Sequence, residues 1–374
     1  MAGIYIHIPF CRKACTYCNF HFSTSLSQKE DMLAAIAWEL ENQKEYLKGA
    51  RIETLYLGGG TPSLLSVEEL QRIFGTIEKH YDTGNLKECT LETNPDDLTP
   101  AYIKALRQTP VNRFSIGVQS FFDSDLKYMN RVHNAQQADY AIKAAQDAGF
   151  ENLTIDLIYG TPGLSNMAWL ENLAKTESLG VPHFSAYALT VEEGTALHHA
   201  IQHKKQVPVD QEQSAAQLEL LMEYAPKMGF EQYEISNFAA QQRYAVHNTN
   251  YWKGVPYLGI GPSAHSFDGE NRRSNVANNS RYIRSILQGK KLDFEVEKLS
   301  ENQRLNEYIM TSLRTKWGCD LQMVEQKWGA SGVLKKASQP FLEQNWLSLD
   351  KDVLLLTNTG KLFADHIASE LFVV

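Results

Sequence analysis

The sequence predicts an α/β fold: a partial (β/α)6 TIM-like barrel, then a smaller C-terminal helical, winged-helix-like domain. Three observations carry this. Strand-like apolar runs alternate with helix-period segments six times over about 190 residues, the rhythm of a parallel sheet with right-handed crossovers. Six units are too few to close an eight-stranded barrel, so the sheet is expected to stay open. From Glu301 the rhythm changes to helices followed by a strand–turn–strand wing. The chain then divides into 1–235, a connecting region 236–300, and 301–374. Its 374 residues suit one large domain plus a smaller one.

The first strand, 4–8, is ended by Pro9 and Phe10. Met32, Leu33, Ile36, Leu40 and Leu47 keep helical spacing over 27–48, and Gly49 stops them. A strand at 52–57 runs into Gly58-Gly59-Gly60-Thr61-Pro62. Ser66 and Glu69 make a capping box for a helix reaching about Lys79. The third strand is 89–93, and Thr99 then caps a helix that has Pro100 in its first position. The fourth, 113–118, leads to Gln119-Ser120 and to helices around 123–130 and 135–148. The fifth, 152–159, carries Asp156 inside it, and a helix at 166–179 precedes the sixth, 183–189. Helical segments follow at 193–205 and 210–229. The aromatic, glycine-rich stretch from His247 to Ser266 has no helical period. Helices near 301–315, 320–328 and 331–344, strands at 346–349 and 352–356, and a last helix at 357–370 complete the chain.

Hydrophobic residues make up 43% and charged residues 21%, an ordinary globular balance. A net charge of −8 and a pI near 5.8 argue against nucleic acid as a partner. No apolar run of about 18 residues is present, so no membrane span is expected. The chain starts as a strand rather than an export signal, and a cytoplasmic location is expected.

Cys11, Cys15 and Cys18 stand at spacings of four and three in the loop after the first strand. Thiolates this close can converge on one soft metal centre. Three ligands leave one iron of a four-iron cluster open to another molecule. Arg12 and Lys13 beside the thiols suit an anionic cluster. Zinc held by the three cysteines and His21 is the rival reading. Structural zinc sites, however, commonly use ligand pairs separated by intervening sequence. Cys89 and Cys319 read as buried structural thiols.

An amino-acid sulfonium nucleotide on an open iron needs acceptors for its ribose and a partner for its carboxylate. The predicted strand ends supply such groups. Gly58-Gly59-Gly60 lets main chain approach a ligand closely. Glu92, Gln119 and Asp156 sit at or near strand ends, and Arg131 can grip a carboxylate in bidentate fashion. Asp156 lies inside an apolar strand, where a buried carboxylate needs a partner.

The Cys-x3-Cys-x2-Cys loop, with Tyr17 before Cys18, resembles the radical S-adenosylmethionine (SAM) superfamily. Tyr5-Ile6-His7-Ile8-Pro9-Phe10-Cys11, Gly58 to Pro62, Gly117-Val118-Gln119-Ser120-Phe121 and Ile155 to Gly160 look like the oxygen-independent coproporphyrinogen III oxidase group. The resemblance implies a barrel of the radical SAM type. It implies a 4Fe–4S cluster on Cys11, Cys15 and Cys18, and SAM against Tyr5, Tyr17, Gly59, Gly60, Thr61, Glu92, Gln119, Arg131 and Asp156. Arg131 would meet the methionyl carboxylate, and Gln119 and Asp156 the ribose.

Two departures from the oxidase pattern turn the reading. Phe20 stands where the oxidases carry a further cysteine, and only Met1-Ala2-Gly3 precede the first strand. Both match the haem chaperone branch of the group. So do the words Tyr233 to Phe238, His247-Asn248-x-x-Tyr251-Trp252 and Gly259 to Ser266. A haem carrier that delivers haem to an unknown acceptor protein is thus expected, with a reductant serving the cluster. The alternative is radical oxidative decarboxylation of porphyrinogen propionates. His247, near Tyr251 and Trp252, is the expected axial haem ligand, and His265 is the second choice. His198, His199 and His203 are expected to face solvent.

Overall fold

The computed structural model describes residues 1–373. Six parallel strands form its centre: β1 (Ala2–Ile8), β2 (Ile52–Gly59), β3 (Glu88–Thr93), β4 (Arg113–Gln119), β5 (Asn152–Tyr159) and β6 (His183–Ala188). They lie side by side in sequence order, as barrel strands do. Nearly every position of β1, β2, β4 and β5 is buried, which is why these strands read as continuous apolar runs rather than alternating ones. The crossover helices begin on the expected caps. Ser66 and Glu69 form a reciprocal capping box, and the Thr99 hydroxyl accepts from the Tyr102 amide.

The sheet does not end at β1 or β6. Beyond β6 lie two antiparallel strands, β7 (Phe230–Glu234) and β8 (Asn237–Ala240), with β8 against β6. On the other side β9 (Tyr257–Ile260) pairs in parallel with β1, setting Tyr5 beside Gly259. Then follow β10 (His265–Phe267), β11 (Asn271–Asn275) and β12 (Phe294–Lys298), all antiparallel. The result is one 12-stranded sheet. The stretch 236–300 therefore supplies five of its strands, β8 to β12. Glu39, fully buried on the helix Lys29–Asn42, fastens this edge. It accepts from the Gly261 amide (2.8 Å), Asn275 Nδ2 (2.7 Å) and the Tyr282 hydroxyl (2.5 Å).

Two expectations of local structure need correction. The stretch after Ala245, read as non-helical, opens with a helix, Val246–Trp252. Its amides at 246 and 247 donate to the Glu88 carboxylate at 2.8 and 2.9 Å, a cap supplied from β3. The last helix is broken into Asn358–Lys361 and Ala364–Glu370. Phe363 leaves helical geometry between them (φ −120°, ψ 22°) and stacks on Trp346 with ring centres 4.5 Å apart.

The C-terminal module has its own core, including Leu305, Ile309, Val324, Leu334, Leu354 and Ile367. Helices Glu301–Leu313, Leu321–Trp328 and Ser331–Glu343 surround a three-stranded sheet of β13 (Cys319–Asp320), β14 (Leu347–Asp350) and β15 (Val353–Leu356), in the order β13-β15-β14. It docks on β7. Arg314 Nη2 lies 3.0 Å from buried Glu234, and Lys316 Nζ lies 2.7 Å from Glu231.

Candidate active site: a cysteine loop over the strand ends

The cysteine loop is tied down at several points. The Cys11 amide donates to Ser23 O (3.0 Å), the Thr16 amide to Met129 O (3.1 Å), and Asn130 Nδ2 to Ala14 O (2.7 Å). Arg12 places Nε and Nη2 at 2.8 and 2.7 Å from Asp97 Oδ1. So held, Cys11, Cys15 and Cys18 all line one cavity of about 380 Å³, and none is in a disulfide. Among the described residues no three Cys, His, Asp or Glu groups converge tightly enough for a single ion. His21 spends its Nε2 on Asn279 Oδ1 (2.7 Å). Thiols arranged around a larger space suit a multinuclear centre. Thr61 Oγ1 points at Cys11 Sγ (3.5 Å) and Arg131 Nη1 at Cys15 Sγ (3.4 Å), donors that suit anionic sulfur. Burial, reinforced by Cys18 and Cys15, pushes the Cys11 thiol up to about 11 against the Thr61 hydrogen bond.

The strand ends form the cavity's other walls. Gly60 could carry no side chain, because a Cβ would come within 2.6 Å of Phe10 O and 2.8 Å of Ile8 O. Gly59 has φ +105°, and its Cβ would meet the His7 ring at 2.5 Å. Its amide donates to Glu92 Oε2 (3.2 Å), while the Tyr56 hydroxyl donates to Oε1 (2.7 Å). Burial pushes Glu92 up to about 7, with Asp156 adding repulsion. Asp156 pairs in register with Ser185 on β6 and accepts from Ser115 Oγ (3.3 Å). Burial lifts it to about 6. Gln119 sits at φ +67°, where the β4–β5 register slips between Ile116 and Gln119. That left-handed backbone at a strand end is strain held by its surroundings. Tyr17 and Thr61 complete the set of expected residues in this wall.

Arg131 is the best-anchored group. Its Nη2 donates to Asn94 Oδ1 (2.6 Å) and Gly117 O (2.7 Å), while Nε is buried without a partner. An arginine fixed on one side, with an unmet donor, suits an incoming carboxylate.

Two expected residues do not line the cavity. Tyr5 lies beneath it on β1, with its hydroxyl 3.1 Å from His7 Nδ1 and its ring 6.1 Å from that of Tyr56. His247 is 2% exposed. Its Nδ1 is 2.8 Å from Thr54 Oγ1, its Nε2 is 2.8 Å from the Tyr251 hydroxyl, and its ring stacks on Tyr56. Burial pushes it down to about 3. In this conformation His247 has no lone pair free for an iron outside the sheet, and its neighbour Asn248 is what reaches the cavity.

Sequence reasoning missed Asn94, Tyr56 and Arg113. Arg113, 1% exposed, spans Thr90 and Thr154 inside the sheet, 3.8 Å from Glu88. An arginine opening an apolar strand was the available signal. Tyr56 could have been found as the inward neighbour of Gly58 on the same face.

The model of the radical SAM superfamily matches residues 5–175, and that of the HemN C-terminal domain matches 299–363. The chain is 32% identical to the protein named heme chaperone HemW of Bacillus subtilis strain 168, over 98% of both chains. It is 29% identical to that of Escherichia coli K12, over 99% of this chain and 97% of the other. The solved coproporphyrinogen III oxidase HemN of E. coli has the same fold, with a TM-score of 0.85 over 99% of this chain and 90% of that one, at 21% identity. A cysteine loop with three free thiols set over the strand ends thus belongs to a chain whose relatives match it along nearly its whole length: the chain belongs to the radical SAM superfamily, in the haem chaperone branch of the coproporphyrinogen III oxidase group.

Proposed function

We propose that this protein is a haem chaperone, which binds haem and passes it to an acceptor protein, and that Cys11, Cys15 and Cys18 hold a 4Fe–4S cluster with SAM beside it. The cluster, when bound, supplies an electron and an open iron site. The protein's own groups bind and orient. Arg131 takes the methionyl carboxylate, Gln119 and Asp156 take the ribose hydroxyls, and Glu92 fixes the Gly59 backbone. Tyr17 and Thr61 close the wall beside them.

The observation that carries the carrier reading is Phe20. It is 69% exposed on the rim of the cavity, where the oxidase pattern has a cysteine. Phe22 and the half-exposed Tyr187 line the same cavity, and aromatic surface of this kind suits a flat porphyrin. Among the described residues no helix is long and apolar enough to cross a membrane. Haem ligation through His247 Nε2 requires its bond to the Tyr251 hydroxyl to break. If that ligation occurs, Tyr251→Phe raises haem affinity and His247→Ala abolishes the Soret shift. An unchanged spectrum in His247→Ala removes this residue from the role.

The decisive experiment offers reconstituted protein both haem and coproporphyrinogen III, anaerobically, with SAM and reductant. Stable haem binding and transfer to an apo-haemoprotein without decarboxylation supports the carrier. Formation of protoporphyrinogen would move the assignment to the oxidase.

A further inference from the structure

We propose that Asn94 is a positioning residue that tunes the cluster by holding the two hydrogen-bond donors aimed at its sulfurs. The proposal rests on the cluster reading of the cysteine loop. Asn94 stands one residue beyond β3, extended at φ −97° and ψ 148°, and Pro95 after it disfavours a helical turn at this point. Its amide has two ends, and both are used. Oδ1 accepts from Arg131 Nη2 at 2.6 Å, and Nδ2 donates to Thr61 Oγ1 at 3.2 Å.

Each partner in turn faces a different cysteine. Because Thr61 Oγ1 is an acceptor toward Asn94, its proton points elsewhere, and Cys11 Sγ lies 3.5 Å away. With Nη2 pinned between Asn94 and Gly117 O, the planar guanidinium sets Nη1 at 3.4 Å from Cys15 Sγ. One amide thus aims donors at two of the three thiols. Asn94 is itself held. Its amide N–H donates to Ser63 Oγ (3.3 Å), which donates to Asp97 Oδ2 (2.7 Å), and Asp97 receives Arg12 from the cysteine loop. The frame closes on the loop that it serves.

Hydrogen bonds to cluster sulfurs stabilise the more negative, reduced state and raise the reduction potential. Only an amide fits both ends. A carboxylate at this position would accept from Arg131 and also from the Thr61 hydroxyl, turning that proton away from Cys11.

The test uses the full chain, reconstituted anaerobically with iron and sulfide, and titrated with dithionite and mediators while the reduced cluster is followed by electron paramagnetic resonance. Asn94→Asp, which keeps the shape, and Asn94→Ala are each compared with the unaltered protein. Both are expected to hold iron and sulfide at the unaltered ratio and to reduce at a more negative potential. The Asn94→Ala shift should shrink in a Thr61→Val background, because one donor is then already gone. A lower melting temperature with the same midpoint and the same g-values overturns the proposal. If Asn94→Ala loses the cluster, Asn94→Asp decides alone, and an unmoved midpoint there is equally fatal. Zinc without sulfide in the unaltered chain would instead remove the cluster reading on which the proposal stands.

Discussion

Three cysteines of this chain sit against a cavity and two sit in cores, so their substitutions should separate cleanly. Serine at Cys11, Cys15 or Cys18 is expected to abolish bound iron and sulfide, while Cys89→Ser and Cys319→Ser keep both. Elemental and sulfide analysis of anaerobically purified protein checks this. Glu92 and Asp156 predict a pH effect of definite sign. Burial raises both in the folded state, to about 7 and about 6. The folded chain therefore holds protons that the unfolded chain releases at ordinary carboxylate pH. Their contribution to stability is full at low pH and is lost as pH rises through 6 and 7. His7 and His247, pushed down to about 4 and about 3 by burial, act in the opposite sense. The informative quantity is thus the difference between Glu92→Gln and the unaltered cluster-free protein, followed by urea unfolding. The glutamine variant should gain relative stability from pH 5 to pH 8. A difference that is flat over this range would mean that Glu92 is not held protonated.

Glycines mark the contrast between element and site. Gly75 is exposed in the helix Val67–His80, and a Cβ there meets nothing within 4 Å. Gly75→Ala should stabilise the protein by about 1 kcal/mol, by raising helix propensity alone. Gly60→Ala drives a methyl into the backbone of Ile8 and Phe10, and should unseat the cysteine loop and lower cluster content. Local pattern made most elements legible. The six parallel strands follow from apolar runs, and the helix starts follow from Ser66 and Thr99, because those signals lie within a few residues of what they specify. The helix Val246–Trp252 was illegible for the converse reason. Its cap is the carboxylate of Glu88, some 158 residues upstream. No window along the chain contains both partners. Asn94 escaped notice likewise, since a lone Asn-Pro reads as a turn until Arg131 and Thr61 are brought against it.

At the scale of the molecule, one buried ion pair joins the two cores. Glu234, 2% exposed, accepts from the Ser236 amide, Asn237 Nδ2 and Arg314. Removing Arg314 strands a buried carboxylate. Arg314→Ala should cost about 2–3 kcal/mol, near the lower end for a broken buried pair because Arg314 keeps some contact with water. Limited proteolysis should then release a C-terminal fragment faster than from the unaltered chain, whereas Lys335→Ala, on an exposed pair, should not change the rate.

The pairing of β1 with β9 also sets a timetable. The strand that carries the cysteine loop is made long before one of its two sheet neighbours, Tyr257–Ile260, which comes about 250 residues later. Asn279, which grips His21 at the end of that loop, comes later still. At ordinary rates of chain elongation the interval is on the order of tens of seconds. Through that time the three thiols ride on a nascent chain whose loop still lacks part of its support. The geometry that brings Cys11, Cys15 and Cys18 to one cavity is therefore completed only after β9 and Asn279 have been made.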